Sequence, residues 1–336
     1  MANNVFGIDL GTNNIKIYNL ASDSVLIEKN MIAIENKNTL FAYGDSAYEM
    51  YEKAPSNIHI SYPLNNGVIA DIHKMEILIR QFITDLSKGT LKPADFVVAV
   101  PTDATEVEKR AFYDLIRDAG VKAKRILVVE KAVADGLGMD IDVKNSQGVL
   151  VVNVGYETTE ISILSLGGIV LSKLIKVGGC KFDDAIRSAV QKTYSLIIGG
   201  KTAESVKMQL GALEQAGTPA VVYGRDIVKG LPVEREIPTQ LALDSMEVHF
   251  RTIIDNVKVI LERTPPELGA DIYRHGIYLT GGASSVAHFA ERMSNDTGLK
   301  VNVAQNPLES VVIGISKIIK DENYKSIAYS IQGTSK

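Results

Sequence analysis

The sequence has little cysteine, little histidine and no long apolar run, and each shortage excludes a class of protein. The single cysteine, Cys180, excludes an internal disulfide and a cysteine-built metal site, which favours a reducing compartment such as the cytoplasm. The 5 histidines are scattered without the spacing of metal ligands. The most apolar stretch, ISILSLGGIVLSKLI, is interrupted by glycines and a lysine before it is long enough to span a bilayer.

The sequence also lacks an excess of charge of one sign. Its 36 lysines and arginines are interleaved with 40 aspartates and glutamates, which leaves a net charge of −4 and no basic stripe, so we expect no nucleic-acid partner. The start, MANNVFGIDLG, enters a strand at once, and we expect neither a signal peptide nor a membrane-binding helix there. A chain of 336 residues, 46% of them apolar, predicts two folded domains.

The pattern of apolar runs predicts an α/β protein with two similar halves. Val5 to Asp9 and Ile15 to Asn19 predict a hairpin near the start, and GVLVVNVGYETTEISIL predicts a second hairpin at mid-chain. Amphipathic helices follow the first hairpin at HKMEILIRQFITDL and at TEVEKRAFYDLIRDAG, which has a Thr-x-x-Glu start. A further glycine turn lies in GIYLTGGASSV. We therefore expect two similar domains, with the two hairpin turns on the floor of the cleft between them.

Motifs distributed along the chain resemble those of MreB/Mbl, the rod-shape-determining bacterial actin family. DLGTNN, YPLNNGVIAD, TEVEKRA, LSLGGIV, KTAESVK, GRDIVKGLP, LERTPPELGADI and LTGGA occur in the family's order, from about Phe6 to about Ile319. The resemblance implies an actin-like fold of two domains around a central nucleotide cleft, with ATP and Mg²⁺ and with self-association into membrane-associated filaments. It places the first domain at 1–142 plus 318–336 and the second at 143–317, with small subdomains at about 33–66 and 181–247.

The resemblance also implies a set of site residues, which fall in three turns and on one helix. The nucleotide-binding residues it implies are Asp9, Gly11, Thr12, Asn13 and Asn14 in the first hairpin, Gly155, Tyr156, Glu157, Thr158 and Thr159 in the second, Glu204 and Lys207 one helical turn apart, and Gly281, Gly282 and Ala283 in the third turn. Asp9 and, more weakly, Asn153 would face the metal and its water shell.

Several departures from the family pattern fall in this cleft. Where MreB proteins usually read DIGGGTTE this chain has NVGYETTE, so Asn153 replaces an acid while Tyr156 and Glu157 replace glycines. In place of EEP the chain has Glu130 followed by Lys131 and an alanine, and Lys131 falls on the glutamate that positions the attacking water. A lysine cannot orient water or accept its proton as a carboxylate does. The resemblance therefore implies no catalytic residue and predicts a pseudo-ATPase.

The electrostatics of the second turn lead to a hypothesis about pairing. Placing Glu157 about 4 Å from a phosphate oxygen would cost on the order of 4 kcal/mol, which lowers affinity roughly a thousandfold. We hypothesise that Lys131 and Glu157 pair across the place of the terminal phosphate. The alternative is that Tyr156 and Glu157 are solvated residues at the tip without a role.

Three functions stay open at this stage. The first is a scaffold that forms filaments with little or no ATPase activity, the second a filament protein that binds and slowly hydrolyses ATP, and the third a monomeric regulator of MreB filaments. The partners implied are further copies of the chain, other MreB-family proteins, or cell-wall and membrane proteins. We expect a cytoplasmic protein with at most peripheral membrane contact, because the candidate membrane loop SKGTLKPAD offers only Leu91, so attachment would need a partner or filament avidity.

Overall fold

Two five-stranded sheets of the same topology form the framework of the computed structural model, which describes residues 4–36, 39–212 and 218–331. The strands are β1 (Val5–Leu10), β2 (Asn14–Asn19), β3 (Ser24–Lys29), β4 (Ile32–Glu35), β5 (Thr39–Tyr43), β6 (Ile58–Ser61), β7 (Leu64–Asn65), β8 (Val68–Ile69), β9 (Ala94–Val100), β10 (Ala123–Glu130), β11 (Val149–Val154), β12 (Thr159–Ser165), β13 (Gly168–Ile175), β14 (Leu196–Ile197), β15 (Ala220–Asp226), β16 (Pro232–Ile237), β17 (Ile277–Thr280) and β18 (Val301–Val303). The α-helices are α1 (Gly44–Met50), α2 (Ile72–Leu86), α3 (Glu106–Asp118), α4 (Lys131–Gly138), α5 (Gly179–Tyr194), α6 (Gly200–Ala212), α7 (Thr239–Glu262), α8 (Pro266–His275), α9 (Phe289–Thr297) and α10 (Ser310–Lys320).

The strand orders of the two sheets confirm the predicted internal repetition. The first sheet runs β3-β2-β1-β9-β10 and the second β13-β12-β11-β17-β18. In each sheet a three-stranded antiparallel meander is extended by two parallel strands. The central strands are buried along their length, which explains why they read as continuous apolar runs.

Helices α4 and α10 join the two sheets. Apolar side chains from both sheets and both helices form one cluster that includes Val97, Val151 and Ile315. The two helices approach closely because glycines face the partner backbone: a Cβ on Gly138 or on Gly314 would lie 1.8 Å from a carbonyl oxygen of the other helix. This helix contact, with the shared apolar cluster, holds the two sheets together.

Two three-stranded sheets and the two-stranded sheet β7-β8 accompany the large ones in the described residues. The sheet β5-β4-β6 packs with α1, and the sheet β14-β15-β16 lies beside α6. Apart from Ile32 at the start of β4, the two three-stranded sheets lie within the predicted ranges of about 33–66 and 181–247. Residues 37–38 and 213–217 of those ranges lie outside the described residues. The exact domain boundaries stay a prediction.

The local signals for helices α2 and α3 are confirmed. The side chain of Asp71 caps α2 by accepting from the backbone N–H of Lys74, and Thr105 with Glu108 forms the complete capping box before α3. Within the described ranges, no helix combines the length and apolar character needed to cross a membrane.

Candidate nucleotide cleft

The turns of the two hairpins close in the same way. In the first, the N–H of Gly11 donates to the carbonyl of Asn14 at 3.1 Å, and in the second the N–H of Gly155 donates to the carbonyl of Thr158 at 2.8 Å. Each turn follows the central strand of its sheet, β1 or β11. The two turns therefore occupy equivalent positions in two similar sheets.

The backbone of the second turn is bound by the start of α5. The N–H of Gly179 donates to the carbonyl of Gly155 at 3.0 Å, and the N–H of Cys180 donates to the carbonyl of Tyr156 at 2.7 Å. Thr159 anchors the other side of the turn, since its hydroxyl donates to the carbonyl of Val177 at 2.8 Å. N–H groups at a helix start often bind phosphate, but these two are already paired with the protein.

The third glycine turn lies against the end of β11. Gly281 has a φ of +89°, and a Cβ there would lie 2.3 Å from the carbonyl oxygen of Val154. Only glycine fits at this position. Gly282 and Ala283 continue in a short 3₁₀ turn, where the buried Ala283 lies beside Gly179. The structure thus brings the second and third predicted turns into direct contact.

In the first hairpin, Asp9 is paired with a lysine. Asp9 and Lys16 are direct cross-strand neighbours in the β1–β2 register, and both are buried. The ammonium of Lys16 lies 2.8 Å from the Asp9 carboxylate. Burial opposes ionisation of Asp9, but Lys16 and Lys131 together hold the pKa of that carboxyl below its usual value. Asp9 is therefore ionised and neutralised by the protein itself.

In the second hairpin, Glu160 is paired with Lys131. The ammonium of Lys131, the first residue of α4, lies 3.5 Å from the Glu160 carboxylate. The same carboxylate accepts hydrogen bonds from the backbone N–H and the hydroxyl of Thr102, at 2.9 and 2.7 Å. Burial opposes the charge of Lys131, but Glu160, Asp9 and Asp135 more than offset this and raise its pKa.

Asn153 belongs to a separate buried network around Asp135. The amide of Asn153 donates to one oxygen of Asp135 at 2.6 Å, and the hydroxyl of Ser310 donates to the other at 2.6 Å. Burial raises the pKa of Asp135 to about 7, although these two hydrogen bonds and Lys131 act in the opposite direction. Asn153 therefore acts as a donor to this carboxyl and not as an acidic metal partner.

These contacts do not fit a Mg²⁺ site. Asp9 and Glu160 are each paired with an ammonium group, and Asn153 supplies no charge. Over the residues that the structure describes, no group of three or more acidic, histidine or cysteine side chains is placed to hold a metal ion. Mg²⁺ prefers carboxylate oxygens and retained water molecules as ligands. Here the carboxylates of Asp9 and Glu160 already bind ammonium groups of the protein. The metal role assigned to Asp9 and Asn153 stays a prediction, and these contacts weaken it.

The hypothesis that Lys131 pairs with Glu157 is wrong. Lys131 pairs with Glu160, while the carboxylate of Glu157 accepts a hydrogen bond from the backbone N–H of Asn66. The physical reason is the position of each residue in the fold. Glu160 lies in β12, next to the start of α4, whereas Glu157 lies in the turn and contacts the β7–β8 hairpin.

The aromatic residue of the second turn also contacts the opposite side of the cleft. The Tyr156 ring lies 6.0 Å from the ring of Tyr62, and the ammonium of Lys207 lies 5.9 Å from the Tyr156 ring. Tyr156 and Glu157 are therefore half-buried and in contact with other residues, so they are not free tip residues. Whether they have a functional role stays a prediction.

Glu204 bridges the cleft. One of its carboxylate oxygens lies 3.3 Å from the ammonium of Lys29 and accepts from the amide of Asn13 at 3.3 Å, while the other accepts from the hydroxyl of Tyr48 at 2.5 Å. Burial opposes ionisation of Glu204, yet Lys29 and Tyr48 hold the pKa of its carboxyl below the usual value. Glu204, a predicted nucleotide-binding residue, thus has both carboxylate oxygens engaged by residues of the first half of the chain.

Lys207, the second predicted contact on α6, is buried and also paired. Its ammonium lies 2.8 Å from the carboxylate of Asp183 and donates to the carbonyl of Gly179 at 3.2 Å. Burial raises the pKa of Asp183 to about 6 in spite of Lys207. Lys207 is therefore a fixed part of the α5–α6 contact and not a free surface lysine.

Comparison with known proteins shows the family of this chain. Residues 3–327 match the family described as MreB/Mbl protein. The chain is 33% identical over 329 residues to the cell shape-determining protein MreB of Escherichia coli K12, covering 95% of this chain and 94% of that protein. It is 34% identical over 312 residues to the cell shape-determining protein Mbl of Bacillus subtilis 168, covering 92% and 93%. The chain belongs to the MreB/Mbl family.

A solved structure of an MreB protein confirms the actin-like α/β fold. The crystal structure of MreB5 of Spiroplasma citri bound to ADP matches this chain with a TM-score of 0.90 at 34% identity, covering 97% of this chain and 98% of that one. The predicted MreB/Mbl relationship and fold class are thus both confirmed.

Several residues of this MreB/Mbl cleft were missed in the sequence. Lys16 could have been found, because a hairpin with a short turn places Asp9 and Lys16 directly opposite each other. Asp135 and Glu160 gave no local signal, since each acquires its partners from distant elements. The same holds for Lys29 and Tyr48, which meet Glu204 across 175 and 156 residues of sequence.

Proposed function

We propose that the protein is an actin-like cytoskeletal scaffold that self-associates into filaments, acts in cell-shape determination, and hydrolyses ATP weakly or not at all. Membership of the MreB/Mbl family supports the cytoskeletal part, since the E. coli and B. subtilis relatives are both named cell shape-determining proteins. The loss of hydrolysis rests on one observation, the ammonium of Lys131 held beside Glu160 in the cleft.

The chemistry of Lys131 opposes hydrolysis. The family resemblance expects a glutamate at this position to orient the attacking water and receive its proton. An ammonium group donates hydrogen bonds only and cannot receive that proton. Since a positioned base contributes roughly 10²- to 10⁴-fold to such reactions, its loss would leave activity lower by about that factor.

Nucleotide binding is weakened in this proposal because the expected contacts already have partners. Glu204 is engaged by Lys29 and Tyr48, and Lys207 by Asp183. A nucleotide would have to displace or share these interactions. The small residues of the three turns are retained and would form the phosphate contacts of any bound ADP or ATP.

The main alternative is a filament protein that binds ATP and hydrolyses it slowly. It is favoured by one observation, the ADP bound to the Spiroplasma citri relative at 34% identity. In this case acids from elsewhere in the cleft, such as Glu160 or Asp135, would have to supply the missing base.

The proposed domains are 1–142 with 318–336, and 143–317, of which 1–3, 37–38, 213–217 and 332–336 lie outside the described residues. Helix α10, Ser310–Lys320, crosses the second boundary and packs between the two sheets, so it would act as the joint between the domains. We place the protein in the cytoplasm, with membrane contact through the filament or a partner. Leu91, the candidate membrane residue, packs against the apolar core of the first sheet, which leaves little of it for lipid.

The test separates binding, hydrolysis and assembly. Phosphate release from ATP, calorimetry with ATP and sedimentation would be measured on the native protein and on a variant carrying Lys131→Glu, Asn153→Asp, Tyr156→Gly and Glu157→Gly. We expect filaments but negligible phosphate release from the native protein, and increased binding and hydrolysis in the variant. Lys109→Glu is the matched control, because Lys109 is also a half-buried lysine paired with glutamates, Glu106 and Glu130.

Phosphate release by the native protein at the rate of an ordinary MreB would contradict the proposed loss of hydrolysis and favour the alternative. Absence of sedimenting filaments under all nucleotide conditions would contradict the filament proposal and favour a monomeric regulator of MreB filaments.

A further inference from the structure

We infer that the ammonium groups of Lys131 and Lys16 take the electrostatic place of the divalent cation, so that this cleft binds no Mg²⁺ and takes any nucleotide as the free anion. The inference rests on the proposed function only in treating the two hairpin turns as the nucleotide cleft. It does not require that nucleotide is bound tightly or that hydrolysis is lost.

The first line of support is that each hairpin carries one buried carboxylate that is paired with a lysine, from the same hairpin in the first case and from α4 in the second. Lys16 lies 2.8 Å from Asp9 in the first hairpin, with side-chain exposures of 9% and 2%. Lys131 lies 3.5 Å from Glu160 of the second hairpin, with exposures of 18% and 6%. A buried carboxylate needs a compensating cation, and at both positions a lysine side chain of the protein provides that positive charge.

The second line of support is that moving either lysine away from its carboxylate would cost free energy. If Lys16 or Lys131 moved away to admit a metal ion, Asp9 or Glu160 would be buried without its partner until the ion arrived. Lys131 also interacts with Asp9, so it adds positive charge to both hairpins at once. A divalent cation entering between the hairpins would approach two fixed ammonium groups, which repel it.

The third line is the amide of Asn153. It donates to Asp135, and the Oδ1 of Asn153 faces Gly281, where a Cβ would lie 2.6 Å from it. Asp135 accepts this bond and one from Ser310, so both its oxygens are engaged. Asp135 thus belongs to a hydrogen-bonded network in which both its carboxylate oxygens have protein partners without a metal ion.

The experiment counts bound metal directly, with Mn²⁺ as the probe. Free Mn²⁺ would be measured by electron paramagnetic resonance during titration of the native protein, alone and with ADP, against ADP in buffer. The same titration would be made on Lys131→Met, on Lys16→Met, on the double variant, and on Lys109→Met as the control for loss of a paired lysine. Circular dichroism would establish which variants are folded.

We expect the native protein and Lys109→Met to retain no Mn²⁺ beyond the amount that ADP alone binds. The double variant should retain one Mn²⁺ per protein, because Asp9 and Glu160 then lack their internal cations. A native protein that retains one Mn²⁺ overturns the inference, and so does a folded double variant that retains none. If the variants do not fold, the native titration decides alone.

Failure of the metal inference can be distinguished from failure of the proposed function. A native protein that retains no Mn²⁺ yet releases phosphate rapidly would contradict the proposed loss of hydrolysis and leave the metal inference standing. A native protein that retains Mn²⁺ but releases no phosphate would do the reverse.

Discussion

The hydroxyl of Tyr48 donates to the carboxylate of Glu204 at 2.5 Å, and the two residues come from opposite sides of the cleft. The Tyr48 ring also lies 4.2 Å from the ammonium of Lys29 and 4.3 Å from that of Lys201. Beside it, the N–H of Gly200 donates to Glu52 across the same gap. The mouth of the cleft is therefore closed by side chains of the protein.

Tyr48→Phe should loosen this closure. The substitution keeps the ring and its lysine contacts but removes a hydrogen bond to a charged acceptor, which contributes about 1.5 to 3 kcal/mol in such settings. Allowing for partial exposure, we expect roughly a tenfold increase in cleft opening. Hydrogen exchange of the Gly200 amide, which bonds across the cleft, reports it. Tyr43→Phe is the control, since Tyr43 bonds Asp85 at 2.8 Å within one side, and equal acceleration in both variants would contradict the bridge.

Gly281→Ala should destabilise the third turn more than an ordinary glycine substitution. The new Cβ would meet the Val154 carbonyl oxygen at 2.3 Å, in addition to the strain of a positive φ. Gly298→Ala is the matched control, because Gly298 has a φ of +69° and no atom within 4 Å of its Cβ position. We expect Gly281→Ala to lower the free energy of unfolding by about 1 to 3 kcal/mol more than the control in urea denaturation. Equal losses would show that the turn can move away from β11.

Lys207→Met should leave Asp183 buried without a counter-charge. Breaking one half of such a pair costs about 3 to 5 kcal/mol, while Arg187→Met, at the exposed pair with Asp184, should cost about 1 kcal/mol or less. Adding Asp183→Asn to Lys207→Met should recover part of the stability. The measurement is the free energy of unfolding, from chemical denaturation, of the native protein, the two single variants and the double variant. If Lys207→Met loses no more stability than Arg187→Met, Lys207 does not compensate a buried charge on Asp183.

The stability cost of Lys207→Met should also depend on pH. Burial raises the pKa of Asp183 to about 6 from 3.8, so ionisation of this group costs stability as the pH rises through that window. Without Lys207 the folded-state pKa rises further and the charged carboxylate is disfavoured more. The difference in unfolding free energy between native protein and variant should therefore be larger at pH 8 than at pH 5. A constant or opposite difference would show that Lys207 does not stabilise the ionised Asp183.

Cys180 should react slowly with alkylating reagents although it lies in the first turn of α5. Burial, with the nearby charge of Glu157, raises the pKa of its thiol to about 11 from 9.0. Because only the thiolate reacts, and Cys180 is the one cysteine of the sequence, iodoacetamide uptake measures it without interference. We expect alkylation at pH 8 to be about a hundredfold slower than in urea, and to accelerate as the pH approaches 11. Equal rates in the folded and unfolded protein would contradict the effect of burial.

The parts of the molecule that were predictable from sequence are those with local causes. The two hairpins follow from short apolar runs around glycine turns, and α3 from the Thr105–Glu108 capping box. The repetition of the hairpins predicted two similar halves of the chain, and the identical strand orders of the two large sheets confirm this repetition. Family motifs in order along the chain predicted the MreB/Mbl relationship, which the comparisons confirm.

The pairing of charges in the cleft could not be predicted in the same way. Lys131 was expected to meet Glu157, three residues before its actual partner Glu160. Glu157 lies in the turn, before β12 begins at Thr159, whereas Glu160 is the second residue of that strand, so the two carboxylates lie in different places. Only the packing of α4 against β12 decides which acid lies within reach.

The sequence by itself determined the two hairpins and the helices α2 and α3, because hydrogen bonding and apolar periodicity act between residues close in the chain. Its ordered motifs determined the family. Tertiary structure alone decided that Glu204 bridges the cleft to Tyr48, that Lys207 is held by Asp183, and that Lys131 neutralises Glu160. Long charged side chains adopt many rotamers, and a buried charge selects its partner only after packing has removed water and brought distant elements together.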